Sequence, residues 1–165
     1  MFAAVLAVLI VGSPAWADFK IQAWSFDKDA PGSQPAGFAV DPTNGSSGRW
    51  EVKADPQSSS PPHVLARTPS GTPGKGAQVL FIEKAEAANL DITVRMKVVA
   101  GADGQGSGVI FRAVDDRNYY VAWFSPQEKL VRLDRVVNGE VKPLQDLKVE
   151  SADIGKWHIL RVSAL

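Results

Sequence analysis

From Gly108 to Val141 the chain reads GVIFRAVDDRNYYVAWFSPQEKLVRLDRVVNGEV, apolar and polar residues alternating between two clusters of turn formers. A period of two belongs to extended chain, whose side chains point to opposite faces in turn; a helix would repeat every three to four residues. The block therefore predicts three strands joined by two tight turns. Asp and Asn tolerate turn dihedrals, so Asp115-Asp116-Arg117-Asn118 reads as a hairpin connection. Asn138-Gly139 between two apolar runs is a stronger hairpin signal, because a two-residue turn needs positive φ at both positions.

The same period runs along most of the chain. Leu90, Ile92, Val94, Met96 and Val98 alternate with Asp91, Thr93, Arg95 and Lys97, which predicts a strand with one buried and one wet face. Further strands are expected at Ala23–Phe26, Arg49–Lys53, His63–Arg67, Ala77–Ile82, Val141–Val149 and Lys156–Ala164. Pro- and Gly-rich segments separate them. Glu83–Ala88 has helix-forming residues but covers only about one and a half turns, so it reads as a loop. Short strands at fairly even spacing without helices predict an all-β antiparallel sandwich or jelly roll.

The N-terminus departs from this pattern. Phe2 to Val11 is continuously apolar, followed by Gly12, Pro14 and Ala15-Trp16-Ala17, with small residues at the positions a signal peptidase reads. Residues 1–17 are thus expected as an export signal and 18–165 as the mature domain, periplasmic or extracellular. No Lys or Arg follows Met1, which is unusual for such a signal. The run is shorter than the roughly 20 residues that span a bilayer, so no membrane insertion is expected after signal removal. A buried N-terminal strand or helix is the alternative for the same run. The chain has no cysteine, so core burial must stabilise it without disulfides, and a lipid anchor on cysteine is ruled out. Its 18 basic and 18 acidic residues balance, leaving no electrostatic footprint for nucleic acid.

Several segments together resemble a known family. They are Trp50-Glu51-Val52, Gly108-Val-Ile-Phe-Arg112, Asn118-Tyr119-Tyr120-Val121, Val131-Arg132-Leu133, Asn138-Gly139 and Trp157-His158-x-Leu160-Arg161-Val162. In this order they resemble the concanavalin A-like lectin/glucanase domains of laminin G-like type, closest to the secreted bacterial 3-keto-disaccharide hydrolase-like group. The resemblance runs from about Trp24 to Val162. It implies a jelly roll and, because a hairpin and a final strand follow the Trp-His strand in that family, a chain lacking its C-terminal strands. The fold hosts lectins, hydrolases and adhesion modules alike.

Strand parity nominates one surface. Arg112, Tyr119, Trp123, Arg132 and Asp134 are expected to share an outward face, and aromatic rings beside Arg and Asp suit sugars. The ring covers the apolar side of a pyranose while the charged groups bond its hydroxyls. Ordinary cross-strand surface pairing accounts for the same residues. The expected function is a non-catalytic module binding carbohydrate or a glycoconjugate. A glycoside hydrolase of the related group and a structural or adhesion module are the alternatives. The Glu-x-Asp-x-x-Glu strand of the glucanases is absent, and no catalytic residue is nominated. Asp91 stands alone, Glu83 and Glu86 flank a loop, and Asp115 and Asp116 suit a turn. His63 and His158 lie on separate strands, so no metal site is expected from them. Asp103 in a glycine-rich loop is the one pointer to calcium, which needs six to eight oxygens; no cofactor is expected.

Overall fold

The computed structural model describes residues 2–11, 20–40, 48–58, 60–69, 78–99 and 106–165. Among these residues all regular structure is β. The strands are β1 (Phe2–Val11), β2 (Lys20–Ala23), β3 (Phe38–Val40), β4 (Gly48–Ala54), β5 (His63–Pro69), β6 (Leu80–Ile82), β7 (Leu90–Val98), β8 (Ser107–Asp115), β9 (Asn118–Ser125), β10 (Leu130–Val137), β11 (Glu140–Lys148) and β12 (Trp157–Ala164). Every strand pairing is antiparallel. One sheet has the order β12-β7-β1-β5-β4, with β2 also paired to β1; a four-stranded sheet has the order β11-β10-β9-β8, and β3 pairs with β6.

The alternation read in Leu90–Val98 appears in full. Leu90, Ile92, Val94, Met96 and Val98 are buried, and the residues between them are half-exposed. This inward row meets the inward row of the four-stranded sheet. Val94 and Met96 pack with Phe124 of β9, Val131 of β10, Val109 of β8 and Leu160 of β12. Leu90 and Ile92 meet Val109 and Phe111. A second cluster, around Phe26, Phe38, Val52 and Leu65 with Trp24 and Trp50 against it, fills the other end. The molecule is thus a β-sandwich, as the period of two predicts. Glu83–Ala88 is irregular, as expected. Ala23 ends β2 while Trp24 and Phe26 lie in a turn segment, Phe26 with φ of +62°, so the strand expected at Ala23–Phe26 lies earlier in the chain.

The apolar segment Phe2–Val11 forms β1. It lies between β7 and β5, pairing Phe2 with Val98 and Val11 with Leu90 on one side and Phe2–Ala4 with Arg67–Leu65 on the other. This arrangement is that of the chain retaining the segment. The Ala15–Ala17 processing signal lies outside the described residues, as does the Asp103 loop.

The two sheets do not end together. Among the described residues β12 borders its sheet, with β7 as its one neighbour. Along the inward row Phe124–Val131–Leu147, Phe124 is buried, Val131 half-buried and Leu147 of β11 is 60% exposed. The four-stranded sheet therefore extends past the facing sheet at β11. A gap of about 150 Å³ remains there, lined by Met96, Phe124, Val131, Val149, His158 and Leu160 among others.

Candidate functional site

The strand register fixes what shares the outward face of the four-stranded sheet. Trp123 lies opposite Arg132, Val121 opposite Asp134, and Tyr119 opposite Val136. On the far side of β10, Asp146 lies opposite Arg132 and Pro143 opposite Asp134. Phe124, Val131 and Val109, one residue out of phase, form the core. Since neighbours along a strand face opposite ways, Tyr119, Trp123, Arg132 and Asp134 lie on the face turned from the core.

Trp123 is the centre of this face. Its Nε1–H donates to Asp134 Oδ2 at 2.7 Å. The Arg132 guanidinium lies over the indole, 5.5 Å from the ring centroid. On β8 the residue opposite Trp123 is Gly108. A Cβ on Gly108 would lie 2.6 Å from Trp123 Cα, and one on Gly106 would lie 2.6 Å from Trp123 Cε3. The two glycines thus admit the tryptophan against β8, and Arg132 holds it from the β10 side.

Arg132 is itself held. Its Nε donates to Asp146 Oδ1 at 2.6 Å and its Nη2 to Asp146 Oδ2 at 2.7 Å, a two-pronged charge-assisted pair. The hydrogen bonds keep the Asp146 carboxyl below the ordinary carboxylate range and push Arg132 further toward its charged form; Asp134 and Glu128 act on Arg132 in the same sense. Asp134 is only 4% exposed. Its Oδ1 is buried and accepts no hydrogen bond among the described residues. Tyr119 is buried at the β9 end of the same face.

Three of the five nominated residues, Trp123, Arg132 and Asp134, therefore come together, and Tyr119 shares their face. Arg112 does not join them. Its φ of +49° breaks the alternation of β8, and the pairing with β9 is irregular between Phe111 and Asp115. The guanidinium turns instead to the carbonyls of Ala88 and Leu165, at 3.4 and 3.3 Å, beside the ends of β7 and β12. Asp134 lies on the predicted face but is buried, bonded to the indole of Trp123 rather than presented.

Asp146 belongs to the site and was not nominated. Its signal was the Asn138-Gly139 hairpin, from which pairing can be counted outward. Straight counting sets Arg132 against Gln145. One extra residue, Leu144, shifts the register between Leu133 and Asp134 and brings Asp146 into that place.

The remaining candidates have structural partners. Asp91 is gripped by Arg161 through bonds of 2.5 to 3.2 Å, which keep its carboxyl below the ordinary range. Asp115 Oδ1 accepts from the Arg117 backbone N–H at 2.8 Å and from Asn118, forming the expected turn. His63 Nδ1 lies 3.3 Å from the Phe26 carbonyl, and His158 Nε2 2.9 Å from the Asp153 carbonyl with its ring against Phe124. Among the described residues no group of three or more His, Cys, Asp or Glu is placed to hold a metal ion. Comparison of the chain with protein-family models, with curated proteins and with solved structures gives no match.

Proposed function

We propose that the chain is an exported carbohydrate-binding module of concanavalin A-like jelly-roll type, with the outward face of β8–β11 as its binding surface. The observation that carries this reading is the unit formed by Trp123, Arg132, Asp134 and Asp146. An indole is wedged against Gly108 of one strand and Gly106 just before it, and overlain by a guanidinium from the next strand, with one carboxylate bonded to the indole and another to the guanidinium. Such a face offers a sugar a platform of ring and guanidinium, together with the exposed Asp146 carboxylate as an acceptor for its hydroxyls. Its side chains are ordered by one another before any ligand arrives, which lowers the entropy cost of binding.

Both carboxylates of the unit are engaged by neighbouring side chains, Asp134 by the indole and Asp146 by Arg132. That favours a holding role over the acid and base roles a glycosidase assigns to its pair. The test is a glycan array probed with the full chain and with Trp123→Ala. Binding to oligosaccharides that falls at least tenfold in the variant is the expected result. Binding unchanged in Trp123→Ala, or no glycan binding by the full chain, overturns the proposal. Turnover of glycosides or 3-keto-glycosides would favour the hydrolase instead.

A further inference from the structure

We infer that this face selects uncharged sugars and turns away acidic ones, and that Asp146 sets the selection. The inference rests on the carbohydrate-binding reading above and concerns which class of sugar the face accepts. A uronic acid or a sulfated sugar needs a cation to meet its charge. The cation beside Trp123 is Arg132, and Asp146 already pairs with it through both its Nε and Nη2 edges. Asp134 and Glu128 also act on the same guanidinium. Lys148 lies on the same face two residues from Asp146 and acts on that carboxylate. An incoming anion therefore meets a guanidinium whose charge is already countered by Asp146.

If Asp146 withholds Arg132 from acidic ligands, removing its charge frees the guanidinium. Asp146→Asn preserves size and some hydrogen bonding but not the charge. The experiment is an array carrying matched neutral, uronic and sulfated oligosaccharides, probed with the full chain, with Asp146→Asn, and with Glu128→Gln. The last alters an exposed residue outside the strands and is not expected to disturb folding. The full chain is expected on neutral oligosaccharides only. Asp146→Asn is expected to gain binding to the uronic or sulfated probes by about tenfold or more, the effect of removing one close like charge at a protein surface. Glu128→Gln is expected to show a smaller gain in the same direction. Binding of acidic probes by the full chain, lost in Trp123→Ala, overturns the inference while leaving carbohydrate binding in place. Neutral binding with no acidic gain in either variant overturns it too. No glycan binding at all defeats the carbohydrate reading itself, and this inference with it.

Discussion

Trp123 and Asp134 hold each other in place, because the indole N–H is the donor that satisfies a carboxylate buried to 4% exposure. Trp123→Phe keeps most of the ring but removes that donor. It is expected to lower stability by about 1–3 kcal/mol, the cost of leaving a buried polar group unpaired, read as a lower urea midpoint. Asp134→Asn keeps an acceptor for the indole and is expected to lose less; equal midpoints for Trp123→Phe and the parent chain would refute the dependence. Gly108→Ala sets a methyl against the backbone of Ala122 and Trp123, which cannot swing aside as a side chain can. A loss of about 1–3 kcal/mol is expected, as for overpacking elsewhere. At this scale parity along β9 and β10 was enough to place Tyr119, Trp123, Arg132 and Asp134 on one face. It could not show that Asp134 is buried, since parity gives the face of a residue and not its exposure. Nor could it place Arg112, whose left-handed φ is a backbone state that few non-glycine residues adopt.

Asn138 and Gly139 have φ of +53° and +84°, the two positive values of a hairpin turn whose twist matches its strands. The tip of the neighbouring hairpin is tied to it. Arg117 Nη2 donates to the Asn138 carbonyl at 2.7 Å, the Gly139 N–H to the Arg117 carbonyl at 2.9 Å, and the Asn138 N–H to Asn118 Oδ1 at 3.1 Å. Gly139→Ala is expected to cost about 1 kcal/mol from the left-handed backbone alone, seen as a lower thermal midpoint with unchanged far-ultraviolet dichroism. A midpoint within error of the parent would show that the turn relaxes to another type. Turn chemistry and alternation made β7 to β12 legible to within a residue or two. The short β3 carried too few residues to show a period, and Pro143, which sits beside the bulge at Leu144, marks an irregular strand without fixing where the register shifts. That one residue separates the countable partner of Arg132, Gln145, from the actual one, Asp146.

For the molecule as a whole, the carboxylates set the acid limit. Asp91, Asp115, Asp146 and Glu51 all lie below the ordinary carboxylate range, held by bonds from Arg161, Asn118, Arg132 and Thr68 respectively. A carboxyl whose folded value is depressed stabilises the fold above the unfolded value, about pH 4. That contribution is lost as pH falls through the folded value. Thermal midpoints are therefore expected to hold near neutrality and to fall from about pH 4 downward. The fall should be smaller in Asp91→Asn/Asp146→Asn, and an identical pH profile for the double variant would refute the assignment. The central position of β1 has a different kind of consequence, one of time. Its partner β7 begins at Leu90, far along the chain from Phe2, and such long-range pairing slows folding. At a synthesis rate of about 5–20 residues per second, the whole of that partner follows roughly 4 to 20 seconds behind. For those seconds the first apolar segment can meet β2 and then β5 but lacks its longest partner, and anything that recognises an apolar segment with an open strand edge meets it before the fold is complete.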